Sequence, residues 1–212
     1  MRRAMMLCLV VVALILIACE GERGPAGPQG DQGPQGVPGA VPIFWDDFES
    51  GVFSSAWLHT ENVGWVIVTD AQGSQYGTKY AASGTIDDRQ GSGISISGDS
   101  EHGGLVAFFA AVGSQPGHDW LTWSVDGSII DGISGNINGS PTPWYSFSFP
   151  ISPGHHRISW QYNKDGLLNE SADRAWLDGI MIMDFATAKP VPPQKLPESV
   201  YLWSEWQGRT QQ

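Results

Sequence analysis

Between Pro42 and Phe185 apolar residues recur at every second position in short runs, and Gly, Asn, Asp, Ser and Pro break the runs. Tyr145, Phe147 and Phe149 alternate with Ser146 and Ser148. His156, Ile158, Trp160 and Tyr162 alternate with Arg157, Ser159 and Gln161, and Ile94 and Ile96 with Ser95 and Ser97. A period of two sends successive side chains to opposite faces, so these runs predict half-buried antiparallel strands. Leu105 to Val112 and Trp176 to Met183 are apolar on both faces and are expected to be central strands. Asp126-Gly127 stands between two such runs, 120–125 and 128–133, as a two-residue hairpin signal. No amphipathic helical period appears after residue 18. The expectation is an all-β fold, a two-sheet antiparallel jelly-roll sandwich over 42–186.

The segment ahead of it obeys a different period. Gly21, Gly24, Gly27, Gly30, Gly33, Gly36 and Gly39 occupy every third position, a collagen-like tract. Glycine at every third position is what the crowded axis of a triple helix requires. Two readings stay open, a homotrimer wound through this tract and a single extended spacer. So few triplets without hydroxyproline favour the spacer, which at about 3.1 Å per residue would reach roughly 65 Å.

Before the tract, Arg2 and Arg3 precede an uncharged apolar stretch from Ala4 to Ala18. That stretch is shorter than the roughly 20 residues a spanning helix needs and has the length of a signal-peptide core. The run Leu16-Ile17-Ala18-Cys19 resembles a bacterial lipobox. The resemblance implies cleavage after residue 18, lipidation of Cys19 and attachment to the membrane through it. Acyl chains contribute about 0.8 kcal/mol per buried methylene, and more than one chain makes a lasting anchor. Glu20, where an Asp would signal retention, favours the outer membrane of the bacterial cell envelope. The expected organisation is signal 1–18, lipidated Cys19 and stalk 19–41, sandwich 42–186, and a Pro-rich linker with an aromatic tail over 187–212.

Eleven basic residues face 22 acidic ones, a net charge of −11. An acidic surface excludes nucleic acid and anionic membrane as electrostatic partners, and it suits a cation. The two cysteines are Cys8 and Cys19. The sandwich therefore has no disulfide, thiol nucleophile or cysteine metal site.

Within the sandwich, Asp46-Asp47-Phe48-Glu49-Ser50-Gly51, Gly64-Trp65-Val66-Ile67 and Ile86-Asp87-Asp88-Arg89-Gln90-Gly91-Ser92 occur in that order. Ile158-Ser159-Trp160-Gln161-Tyr162-Asn163-Lys164-Asp165-Gly166 and Ala172-Asp173-Arg174-Ala175-Trp176-Leu177-Asp178-Gly179-Ile180 follow. This succession resembles jelly-roll modules of the MAM-like and cleaved-adhesin type. The resemblance implies a non-catalytic adhesion or recognition module, often with structural calcium, that binds carbohydrate or a surface protein.

Asp178 shares a strand face with Trp176, Ile180 and Ile182, so its carboxylate must be paired, hydrogen-bonded or bound to a metal. First and last strands of jelly rolls commonly lie side by side, which would bring Asp46, Asp47 and Glu49 to it. Oxygen ligands of that kind would suit calcium. The competing reading is a turn-closing Asp178 with Asp46 and Asp47 at the surface. Asp87-Asp88 reads as a solvated loop. Among ten tryptophans, Trp57, Trp120 and Trp144 stand near turn residues and are the candidates for an exposed ligand-stacking role, with core or rim packing the competing reading for each of them, because aromatics dominate sandwich cores. No nucleophile elbow, zinc-protease motif or phosphate loop is present, and the acidic ladder of sandwich glycosidases is missing. A structural envelope component, or a subunit docking through Val200 to Trp206, is the alternative to a binding module.

Overall fold

The computed structural model describes residues 42–59, 63–135, 141, 143–167 and 172–184, and the backbone of 200–202. The signal segment, Cys19, the glycine tract, and the tail apart from 200–202 lie outside the described residues.

The described chain forms twelve strands. They are β1 (Pro42–Asp46), β2 (Leu58–His59), β3 (Val66–Thr69), β4 (Lys79–Ala82), β5 (Gly91–Ser100) and β6 (Gly104–Gly113). After them come β7 (Trp120–Val125), β8 (Ser128–Gly135), β9 (Tyr145–Ile151), β10 (Gly154–Asn163), β11 (Arg174–Asp184) and β12 (Val200–Leu202). One sheet runs β3, β4, β11, β6, β9, with β1 also on β11; the other runs β12, β8, β7, β10, β5, β2. The pairings are antiparallel throughout. This is the expected two-sheet antiparallel sandwich.

The strands that are apolar on both faces take the centre of their sheet. β6 lies between β11 and β9, and β11 lies between β6 and the pair β4 and β1. Because β6 takes one edge of β11 along its length, β4 and β1 share the other edge in succession. β4 pairs at Trp176 and Leu177, and β1 pairs from Ile180 to Met183. A bulge between Asp178 and Met181 separates the two stretches, and Gly179 within it has φ +55°. The hairpin signal holds at β7–β8, where Asp126 and Gly127 have φ of 51° and 83°. Positive φ at both central residues matches the right-handed twist of the flanking strands. At the other edge of that sheet β12 pairs with β8, Val200 opposite Gly135, so this part of the tail lies strapped on the sandwich.

The inward positions of both sheets build the core. Trp160 sits at its middle, fully buried, edge-on to Phe108 at 5.4 Å and tilted to Trp57 at 5.9 Å. Phe48, Ile94, Leu121, Leu177 and Ile180 are fully buried with it. The outward face of the first sheet carries a second apolar cluster, Tyr80, Ala82, Ala111, Trp144 and Trp176, with Phe109 packed against it. A sheet face that is apolar on its solvent side has to be covered or used.

Candidate functional site

The uncovered part of that outward face is a groove. Register places Trp45 of β1 beside Met181 of β11, Met181 beside Ala107 of β6, and Ala107 beside Ser148 of β9. Phe109 and Ser146 form the next row. The small Ala107 leaves a depression of about 150 Å³ between the aromatic side and the serines of β9. Its wall is made of rings. Trp45 meets Tyr76 at 5.6 Å and 78°, and Tyr76 meets Phe109 at 5.5 Å and 75°. Trp45 is 43% exposed and Tyr76 39%.

Tyr76 comes from the loop between β3 and β4, and three side chains from outside that loop pin its backbone. Asp178 Oδ2 accepts the N–H of Gln75 at 2.8 Å and of Tyr76 at 2.9 Å, and its Oδ1 accepts Gly179 N–H at 2.7 Å. Glu49 accepts the Thr78 N–H at 2.7 Å, the Thr78 hydroxyl at 3.0 Å and the N–H of Lys79. Trp144 Nε1 donates to the Gly73 carbonyl at 2.7 Å. The ring of Tyr76 then lies over Gly179, where an added Cβ would stand 2.4 Å from Tyr76 Cε2. Only glycine suits that position, for its left-handed backbone and for the close approach of the ring.

Electrostatics follow from these contacts. Burial pushes the Asp178 carboxyl up to about 6, against the lowering effect of its three N–H donors, and the Asp47 charge adds to the rise. Glu49 is held below the usual carboxylate range, chiefly by the Thr78 N–H.

The four residues expected to hold calcium are thus brought together in part. β1 does lie beside β11, with Asp46 opposite Ile180. Most of their oxygens, however, accept hydrogen bonds from protein donors. Asp46 accepts the Phe48 N–H at 2.8 Å and Trp57 Nε1–H at 2.7 Å, one on each oxygen. Asp47 accepts the N–H of Glu49 at 3.2 Å. Asp178 is fully buried under the loop it holds. Calcium needs six to eight oxygens turned toward it, and N–H hydrogens already point at these. Among the described residues no group of three His, Cys, Asp or Glu side chains could hold a metal ion. Asp46, Asp47, Glu49 and Asp178 each accept at least one backbone N–H.

Of the two readings for Trp57, Trp120 and Trp144, packing holds and the exposed ligand-stacking role is corrected: they are 5%, 6% and 8% exposed. Trp57 is packed by Phe44, Phe48, Phe53 and Trp160. Trp144 stands edge-on to Tyr80 at 5.8 Å. Trp120 opens β7 opposite Asn163. Rings enclosed in this way offer no face for stacking. Among the described residues the exposed tryptophan and tyrosine rings are Trp45 and Tyr76, which the turn-based reading passed over. Their signals were present: Trp45 alternates with the half-buried Phe44 in β1, and Tyr76 is the one large residue in Gln72-Gly73-Ser74-Gln75-Tyr76-Gly77.

The fold defines a jelly-roll β-sandwich. No known protein family matches the chain, and no curated protein does. Among solved structures it is similar to a xylan-binding domain from carbohydrate-binding module family 22, at 11% identity over 72% of this chain and 100% of that one, TM-score 0.47. It is also similar to the K3 cleaved adhesin domain of Lys-gingipain from Porphyromonas gingivalis, at 10% identity over 68% of this chain and 100% of that one, TM-score 0.46. A family 35 carbohydrate-binding module from Clostridium thermocellum is similar at 14% identity over 60% and 92%, TM-score 0.40. At such identities the site has to be argued from its own residues.

Proposed function

We propose that the sandwich is a non-catalytic recognition module that binds a neutral glycan along the Trp45–Tyr76 groove. It is presented at the bacterial envelope by lipidated Cys19 and the glycine-periodic stalk. The observation that carries the reading is the pair of half-exposed rings fixed on a pinned backbone beside the strand of Ser146 and Ser148. Sugars have apolar C–H faces that settle on aromatic rings and hydroxyls that bond to polar neighbours, and binding sites combine the two in this way. The net charge of −11 disfavours acidic polysaccharides. The described lining of the groove holds no carboxylate and no histidine. Glycoside hydrolysis needs two carboxyl groups flanking the scissile bond, so this lining supports recognition over hydrolysis.

The test is a titration of the full chain in detergent with soluble neutral oligosaccharides, beginning with xylo- and galacto-oligomers. Binding is expected to weaken about tenfold or more in Trp45→Ala and in Tyr76→Ala, equivalent to about 1.4 kcal/mol each. Binding that survives both substitutions unchanged, or no binding to any neutral glycan, overturns the reading.

A further inference from the structure

Gln115 follows β6, Asp119 precedes β7, Tyr162 lies near the end of β10, and Asp173 precedes β11. Antiparallel pairing of Arg174 with Gly113 and of Asn163 with Trp120 brings these four to one end of the sandwich. It is the end opposite Pro42, whose strand starts beside Met183. Six buried side-chain atoms lack a hydrogen-bond partner among the described residues, and four of them are here: Gln115 Oε1, Asp119 Oδ2, Tyr162 Oη and Asp173 Oδ1. Folded proteins leave few such atoms, and a concentration of them in one place requires an explanation.

Their chemistry is uniform, since all four are oxygens. Each carboxylate is half committed. Asp119 Oδ1 accepts the Asp165 N–H at 2.9 Å while Oδ2 has no partner. Asp173 Oδ2 accepts from Lys164 Nζ at 3.0 Å while Oδ1 has none. Asp119 is 1% exposed, and Tyr162 is fully buried with its hydroxyl unmatched. The groups act on one another. Burial and then the charges of Asp119 and Asp173 raise the Tyr162 phenol, and burial with the charges of Asp173 and Asp165 raises Asp119. Lys164 offsets one of the two negative charges and also reaches toward Asp88 at 3.6 Å. The Asp165 carboxylate faces His118 at 2.9 Å. Among the described residues these four oxygens remain without a hydrogen-bond partner.

We propose that Asp119, Asp173, Tyr162 and Gln115 form a binding site for a single hard cation of the calcium class. Calcium accepts oxygens of mixed type in irregular geometry, with carbonyls and water completing the shell, whereas magnesium demands a near-ideal octahedron. Two carboxylates with two neutral oxygens make a weaker site than a cluster of three acids. The affinity belongs with extracellular modules that bind at roughly 10⁻⁴–10⁻³ M.

The experiment melts the full chain in detergent after chelator treatment, with no added metal, with millimolar calcium chloride or with millimolar magnesium chloride. Calcium is expected to raise the midpoint by about 4 °C, and magnesium to raise it much less. Asp119→Asn abolishes the rise, Tyr162→Phe reduces it without changing charge, and Asp178→Asn keeps it. No rise with calcium, or a rise that persists in Asp119→Asn, overturns the site. So does a gain in stability toward acid that Asp119→Asn removes and that millimolar calcium leaves unchanged, since a proton on Asp119 then fills the role. Should Asp119→Asn fail to fold, terbium serves as the probe on the unmodified chain. Emission sensitised by the adjacent Trp120 and competed away by calcium supports the site, and no sensitised emission overturns it.

Discussion

Two buried acidic regions of the sandwich use their oxygens in opposite ways. Around Asp178 both carboxylate oxygens meet N–H donors, and the residue latches the loop that carries Tyr76. Around Asp119 and Asp173 each carboxylate leaves one oxygen, and Tyr162 its phenol, unmatched among the described residues. Residue type is the same in the two places, and Asp119 is as deeply buried as Asp178, though the Asp173 side chain is 16% exposed. Burial of a carboxylate therefore does not by itself mark a ligand site. What separates scaffold from site is whether the protein supplies the donors.

The comparison can be broken at its strongest point first. Asp178→Ala strands three N–H groups and is expected to cost about 3–4 kcal/mol in urea unfolding, with faster amide exchange at Gln75 and Tyr76. A loss under about 1 kcal/mol would show that the latch is unimportant. Next in size is a pH effect. The folded-state value of Asp178 is raised from 3.8 to about 6, so between those values the folded chain holds a proton that the unfolded chain has lost. Stability from this group is thus greatest in acid and falls as pH rises through that window, by roughly 3 kcal/mol in all. Asp178→Asn should flatten that part of the curve. Asp119 is raised in the same direction, and calcium should flatten its share while leaving the share of Asp178 intact.

Gly179→Ala is expected to cost about 2 kcal/mol through its positive φ and the ring above it, and to weaken glycan binding along with stability. Tyr162→Phe sharpens the contrast from the other side. In chelator it should be neutral or stabilising by about 1 kcal/mol, because it removes a hydroxyl that has no partner. The smallest effect belongs to His156, whose Nδ1 lies 2.7 Å from Asp126 and whose Nε2 lies 2.9 Å from the Ser152 carbonyl. The Asp126 bond raises its value above 6.5. That contribution is complete below 6.5 and disappears as pH rises through the raised value. An NMR titration should find His156 holding its proton above pH 6.5, and Asp126→Asn should lower its midpoint.

Much of the architecture was legible because alternation is a local property. Tyr145 to Phe149 and His156 to Tyr162 display the inward and outward faces directly, and the doubly apolar runs at β6 and β11 declare their central place. The Asp126-Gly127 turn is equally local. The site was legible only as a requirement. Asp178 among apolar neighbours had to be bonded to something, and that held. Its partners, the amides of Gln75 and Tyr76, stand about a hundred residues away in the chain and carry no side-chain signal. Trp57, Trp120 and Trp144 misled for a related reason. Turn residues nearby suggest exposure, yet Phe44, Phe53 and Tyr80 arrive from elsewhere to enclose two of them. Trp45 is turned outward by β1, whereas Trp57 precedes β2 and is folded inward onto Phe48 and Trp160.

Strand β1 starts at Pro42 and reaches Trp45 three residues later. Any tension applied to the chain ahead of Pro42 therefore enters the groove wall through a single short strand, gripped by its ladder to β11. Under the proposed function, a tether ahead of Pro42 and a glycan in the groove would pull against each other through the β1–β11 ladder, so under flow or shear that ladder would bear the load ahead of the rest of the sandwich.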